Sequence, residues 1–335
     1  MTNTMNSESR AVLDRMKKAC RRRQLIPFVG AGFTRNIQPA LNFKDFVNNV
    51  IADHLPIALP SKPLLALFEG DTAKALDFVA WRTGFHKKTS YQHAYDNGKE
   101  SLCRVIAGHF SAYKLERITP RTEPLWSQHL ELLRIPTFDR VYTTNWDPCL
   151  ETAIRHLADS CDVPLRYRKY TSTRGEANPE LWPAGSRTRG SRQIDIVKFH
   201  GDIEDYETVI ATETDYSKRI AKPDDLDEML KRDGGTHGLL FVGYSFGDAN
   251  VQYVLSHINH VSDLLGQGGR TARKTSFMID VGTAPRQHIY RELAKYIAHK
   301  MNLEICYLFG GAITGGKKKR TREALARLFK QLACA

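Results

Sequence analysis

The chain has 335 residues, 41% of them hydrophobic, and a formal net charge of +12, so it can bury a full core as one large domain or two ordinary ones. No apolar run approaches the ~18 residues that span a bilayer, and the opening MTNTMNSESR has no apolar stretch of the kind a secretory signal requires. Six scattered cysteines (Cys20, Cys103, Cys149, Cys161, Cys306, Cys334) form no C-x-x-C pair, which argues against a zinc ribbon and for a reduced, cytoplasmic setting.

Residues 8–23 read as an amphipathic helix with Val12, Leu13, Met16 and Ala19 on one side. Leu25–Val29 is a short apolar strand running into Gly30-Ala31-Gly32-Phe33-Thr34, where a strand should turn into a helix. From Phe43 to about Leu133 the pattern is mainly helical, broken by the Pro-rich piece Pro56–Pro63; residues 43–133 are read as an insertion rather than an independent domain. A second strand, Phe138–Tyr142, leads into Thr144-Asn145-Trp146-Asp147, and Arg166–Tyr170 is a candidate third. Tyr170–Arg192, rich in Gly, Pro, Ser, Thr and Arg, reads as a long surface loop.

Further on, Ile194–Phe199 is a strand ending at His200-Gly201, Thr208–Ala211 is a candidate strand, and Asp215–Lys231 is a charged helical stretch. Leu239–Val242 is the most apolar strand and ends in Gly243-Tyr244-Ser245-Phe246-Gly247-Asp248, with a helix beginning near Val251. Thr275–Ile279 and Glu304–Phe309 complete the sheet around a helix at Arg286–His299, and 311–335 is a basic C-terminal helix or tail. Short apolar strands alternating with helices predict an α/β fold: a doubly wound, mostly parallel, Rossmann-like sheet with a helical insertion.

Basic clusters at Lys17–Arg23, Arg187–Arg192 and Lys317–Arg322 admit a nucleic-acid partner, but solvated helix ends and a flexible loop explain them as well. A basic surface also draws in an anionic dinucleotide.

In an open α/β sheet, ligands lie outside the carboxyl ends of the strands, and four unusual clusters fall at such ends. In the first, Gly30 and Gly32 would let backbone approach a phosphate, with free N–H groups and a helix dipole facing it. A third glycine of the full dinucleotide fingerprint is replaced by Arg35, and the nearest acidic residue at ribose distance, Asp53, lies inside the insertion; both count against a classical dehydrogenase. In the second, the Asn145 amide can hold a water or a ribose hydroxyl, or simply serve a turn, while Asp147 can cap the helix that starts at Pro148. In the third, the His200 imidazole can take a proton from water or a hydroxyl, or merely pack. The fourth offers Gly243, Ser245 and Asp248 to a ribose or phosphate; it also has the shape of a G-x-S-x-G hydrolase elbow, for which Asp280 and His288 or His299 would complete a triad. That alternative leaves the other three clusters without a task. The remaining histidines, among them His109 and His129, are read as structural.

Taken in order, G-A-G-x-T, T-x-N-x-D, K-x-H-G and G-x-S-x-x-D resemble the sirtuin superfamily, most closely the bacterial sirtuin-like NADases of anti-phage defence. The resemblance runs over nearly the whole chain, as a single catalytic domain over 1–335. It implies that Gly30, Ala31, Gly32, Phe33 and Thr34 contact the NAD pyrophosphate and nearby ribose. It implies that Asn145, with Thr144 and Asp147 around it, orders the nicotinamide ribose and water, and that His200 is the general base. Gly243, Ser245 and Asp248 would bind the adenosine half, and Asp280 would touch its ribose. Two departures stand out: no four-cysteine zinc module, and Pro39-Ala40-Leu41-Asn42-Phe43 where deacylases carry a proline–aromatic–arginine signature. Both put acyl-lysine binding in doubt.

The expected activity is therefore hydrolysis of NAD, as substrate and without a metal, to nicotinamide and ADP-ribose. A zinc-free NAD-dependent deacylase or ADP-ribosyl transferase, and a non-catalytic nucleotide- or nucleic-acid-binding sensor, are the alternatives. Unchecked NAD hydrolysis would kill the host, and catalytic domain and insertion fill the chain, leaving little room for a sensor. Control is expected from homo-oligomerisation or from a partner, which the resemblance suggests is an ATPase or an Argonaute-like protein; no membrane association is expected.

Overall fold

The computed structural model describes residues 5–34, 37, 46–55, 63–86, 89–112, 118–160, 165–173, 176–183, 190–244, 249–267, 274–283, 292, 296, 298–309 and 317–334. Helix α1 (Ser7–Arg21) is capped by Asn6, whose side chain accepts from Ser9 N, and buries Val12, Leu13, Met16 and Cys20 at helical spacing. Strand β1 (Leu25–Val29) is buried along its whole length and passes into α2 (Ala31–Thr34), a single helical turn. A π-helical turn at Val47–Ile51 and a 3-10 turn at Leu64–Phe68 precede α3 (Thr72–Gly84), α4 (Tyr91–Ala112) and α5 (Glu123–Arg134).

Then follow β2 (Arg140–Thr143), α6 (Cys149–Ser160), β3 (Leu165–Thr173), β4 (Glu176–Trp182) and β5 (Arg192–Lys198). The chain continues through α7 (Glu213–Ala221), α8 (Asp225–Thr236), β6 (Gly238–Val242), α9 (Ala249–Gln267), β7 (Ser276–Thr283), β8 (Leu303–Phe309) and α10 (Lys317–Ala333).

The eight strands form one sheet in the order β4-β3-β5-β2-β1-β6-β7-β8, parallel throughout except for β4, which pairs antiparallel with β3 at the edge. Strand residues alternate between two cores. Val29, Val141, Ile196 and Val242 face a layer of α1, α5, α6 and α10, through Met16, Leu130, Ile154 and Phe329. Phe28, Tyr142, Val197 and Phe241 face α8 and α9, through Leu226, Leu230, Val254 and Ile258. This is the expected doubly wound α/β sheet.

The sequence expectations hold for most strands to within a few residues. Strand β4 lies in the segment expected to be loop, and its Pro179 is tolerated because the strand is at an edge. The stretch Thr208–Ala211 belongs to no strand; it follows a 3-10 turn at Tyr206–Thr208. The charged stretch is two helices, α7 and α8, each with its own capping box. The basic C-terminal segment is packed through Leu325, Leu328, Phe329 and Leu332 into the main core. Most of the helix expected at 286–299 lies outside the described residues.

The insertion divides in its packing. Residues from Phe46 to Ile106 make their own core with Ile203, Val209 and Ala211, whereas Ile118, Trp126, Leu130 and Leu133 join the sheet. Polar contacts seat the insertion on α7: Tyr95 Oη donates to Asp215 (3.0 Å), Lys99 pairs with the same carboxylate, and Thr214 N donates to Asp77 (2.9 Å). At the edge opposite β4, Tyr307 N of β8 donates to Ser9 Oγ (3.1 Å), and Arg15 pairs with Glu304 (2.7 Å).

Candidate active site

The strand register aligns the loops. Val29 is level with Thr143 and Val242, Thr143 with Lys198, and Val242 with Ile279. The glycine turn, the Asn145 turn, the His200 turn and the Gly243 turn therefore leave the sheet from one line across four neighbouring strands. The connection from β1 goes toward β2 and that from β6 toward β7, so the line crosses a topological switch point between β1 and β6.

At that point two glycine turns interlock. Gly30 N donates to Val242 O (3.0 Å) and Gly32 N to Gly243 O (2.9 Å). A Cβ on either Gly30 or Gly32 would stand 2.8 Å from Gly243 O, and one on Gly243, at φ +64°, would stand 2.2 Å from Phe33 N. The glycines are thus required by close backbone packing before any ligand is considered. Ala31 and Gly32 are exposed on the floor. Of the helix expected to follow, the described residues are Ala31–Thr34 of α2.

Phe33 departs from its expected ligand contact. Its ring is fully buried, packed on His129 (4.3 Å) and Phe329 (6.2 Å); its N–H donates to Gly30 O (2.8 Å) and its carbonyl accepts from Gln128. An aromatic side chain so placed supports the floor from beneath.

Asn145 reaches back to the glycine turn. Its Nδ2 donates to Thr34 Oγ1 (2.9 Å) and to Gly30 O (3.3 Å), and its backbone N–H donates to Thr143 Oγ1 (3.0 Å). The other end of the amide, Oδ1, is buried and has no hydrogen-bond partner among the described residues. A buried amide oxygen in that state is a ready acceptor for a hydroxyl or a water. Thr144 N donates to Val29 O (3.3 Å), and Asp147 Oδ1 accepts from Cys149 N (3.1 Å), so Asp147 caps α6.

His200 lies two residues beyond Lys198, as Asn145 lies two beyond its register partner Thr143. The imidazole is buried against Tyr216, edge to face at 5.5 Å, and the adjacent turn is tied to the Asn145 turn by Ile203 N donating to Trp146 O (3.1 Å). Gly201 sits at φ +86°, where a Cβ would be 2.1 Å from Thr208 O. The carbonyl of Phe199 accepts from Arg219, whose guanidinium lies over the Phe199 ring at 4.1 Å and pairs with Asp224 (3.0 Å) and Asp227 (2.9 Å).

Asp280 follows Ile279 on the register line, half-buried in β7 beside Tyr307, and β6 stands between it and β1. Ser245 and Asp248, and with them the serine-hydrolase alternative, lie outside the described residues. No group of three or more potential metal-ligating side chains occurs among the described residues.

A buried ionic cluster adjoins the site. Lys198, fully buried, donates to Trp146 O (2.9 Å) and Asp147 O (2.8 Å) and stands 3.3 Å from both Glu151 and Asp202. Lys169 pairs with the other oxygen of Asp202 (2.7 Å). Burial alone would lower the Lys198 pKa, but Glu151 and Asp202 hold it above its ordinary value. Burial opposes ionisation of Asp202 too, yet Lys198 and Lys169 keep its carboxyl below the usual range. Burial raises the Glu151 pKa. Sequence reading quoted Lys198 within K-x-H-G but gave it no task. Arg219 carries no motif in the sequence: its acidic partners lie five and eight residues on, and its link to the His200 turn, through Phe199 O, spans 20 positions.

Comparison with known proteins agrees with this architecture. The family model described as a SIR2-like domain matches residues 139–300. The chain is 25% identical over 227 residues to a protein named NAD(+) hydrolase ThsA from Bacillus cereus (strain MSX-D12), covering 65% of this chain and 42% of the relative. A protein of the same name from Cytobacillus dafuensis is 25% identical, over 60% of this chain and 34% of its own length. A third, from Enterococcus faecium, is 30% identical, over 40% of this chain and 25% of its own. In each case the chain spans less than half the length of the relative it matches. The chain is thus similar to SIR2-like proteins over residues 139–300 and to these relatives, and it carries a doubly wound sheet.

Proposed function

We propose that the chain hydrolyses NAD at the nicotinamide–ribose bond, giving nicotinamide and ADP-ribose. The observation that carries the reading is the Asn145 amide. Its nitrogen is committed to Thr34 and Gly30, and its buried oxygen faces no protein partner among the described residues, one strand away from His200. Relatives named NAD(+) hydrolase support the same substrate.

In this mechanism the bond between the ribose anomeric carbon and the nicotinamide nitrogen breaks, and its electron pair stays with neutral nicotinamide. Positive charge spreads over the ribose ring, as in other glycosidic cleavages. Water adds its oxygen to that carbon, and its proton passes to His200. Asn145 Oδ1 accepts from a ribose hydroxyl or from the water and so fixes its position. A positioned base contributes on the order of 10²–10⁴ in rate. Thr34 acts by holding Asn145, and the exposed face of Ala31 and Gly32 takes the pyrophosphate.

We further propose that the activity is a gated, NAD-depleting step in anti-phage defence, controlled by self-assembly or by a partner protein. Incubation of purified protein with NAD, with and without oligonucleotides, should release nicotinamide, and Asn145→Ala should abolish most of it while the protein stays folded. Nicotinamide release by Asn145→Ala at the wild-type rate overturns the site. A monomer fully active alone overturns the gating.

A further inference from the structure

We propose that Lys198 is a positioning residue that sets the Asn145 turn against the His200 turn; this rests on the NAD-hydrolase reading for its catalytic consequence. Lys198 continues a face of β5 on which Ile194 and Ile196 are buried, and it is itself without exposed surface. An apolar side chain would fill that position at lower desolvation cost. What the ammonium supplies is donors. It sits two residues before His200 and bonds the carbonyls of Trp146 and Asp147, the two residues that follow Asn145.

Those carbonyls belong to irregular backbone between a strand end and α6, and buried backbone acceptors need partners. One side chain therefore joins both chemically important turns. Glu151 and Asp202 balance its charge at 3.3 Å each, from the first turn of α6 and from just beyond Gly201. Glu151 faces the ammonium at 3.3 Å and balances its charge, while the carbonyls of Trp146 and Asp147 take its hydrogen bonds.

This separation suggests the test. Glu151→Gln removes a buried charge but leaves both carbonyl bonds of Lys198 in place. Adding Lys198→Met removes the bonds while keeping a similar volume, with the remaining Lys169–Asp202 pair neutral. Adding Lys198→Gln instead restores one donor. Relative to Glu151→Gln, the methionine variant should lose about 10–100-fold in kcat, the scale of a small misplacement of reacting groups, with KM little changed. The glutamine variant should recover part of the loss. Amide exchange over 144–149 should quicken in the methionine variant while the interior of α6 keeps its protection.

Unchanged kcat, or unchanged exchange over 144–149, overturns the proposal. So does a parallel rise in KM that accounts for the whole loss. If the methionine variant does not fold, the glutamine variant decides by the same two readouts. Wild-type protein that releases no nicotinamide defeats the NAD reading instead, and the exchange comparison still judges the clamp.

Discussion

Gly243→Ala tests the interlocked turns directly. Gly243 adopts φ +64°, and a Cβ there would stand 2.2 Å from Phe33 N and 2.6 Å from Gly32 C, both backbone atoms that cannot rotate away. The left-handed conformation costs an alanine roughly 1–2 kcal/mol, and forcing extra volume into a packed site adds about 1–3 kcal/mol. For a chain of this length the unfolding entropy is about 0.7 kcal/mol per kelvin, so the change should lower the melting temperature by roughly 3–7 °C. Gly235→Ala is the internal control. It lies in α8 with nothing within 4 Å of its Cβ position, and it should gain about 0.5–1 kcal/mol from reduced backbone freedom. Thermal melts by circular dichroism, with NAD binding measured alongside, read both variants. If Gly243→Ala melts together with wild type, the two turns are not in the contact described, and the floor has been misassigned.

His129 predicts an acid limb of stability. Burial pushes its pKa down to about 3, and neither ring nitrogen has a hydrogen-bond partner among the described residues. The unfolded chain takes the proton first, near pH 6.5, so stability falls as pH drops from about 6.5 toward 3, by about 3 kcal/mol at pH 4.5. His129→Leu should flatten that limb in urea titrations run at several pH values; an unchanged limb assigns it to other groups. Asp215→Ala should cost about 3–5 kcal/mol, because it strands the Lys99 ammonium and the amides of Ala211 and Thr212, and limited proteolysis should then cut the insertion first. Arg219→Met leaves Asp224 and Asp227 facing each other without their cation, and should sharply destabilise the protein near neutral pH, with partial recovery in acid as Asp224, whose pKa burial already raises, takes a proton. Equal destabilisation at all pH values would contradict this.

Strands β1 and β6 were legible because both of their faces are buried and their sequences are continuous apolar runs ending at glycine. β4 was not, since an edge strand needs only one partner and admits Pro179, so its composition is that of a loop. The basic residues of Lys317–Arg322 hid the helical spacing of Leu325, Leu328, Phe329 and Leu332. At the site, the four clusters stand out in the sequence as unusual strand ends, but the common register that aligns them depends on pairing between distant strands. The same holds for side chains that act at a distance in sequence: Lys198 meets Trp146 O across 52 positions, and nothing local encodes that. Phe33 shows the converse, a residue inside a ligand-binding signature whose ring serves the interior.

The guarded margins of the sheet have a consequence for how copies of this chain can meet. On one flank a proline interrupts the row of donors in β4, and on the other the first helix occupies an outward amide of β8 and adds an ion pair beside it. Neither flank invites another strand to dock. The self-assembly proposed above would then be written in helix surfaces and connecting segments, where single substitutions can tune it without disturbing the backbone ladder beneath the strand-end turns.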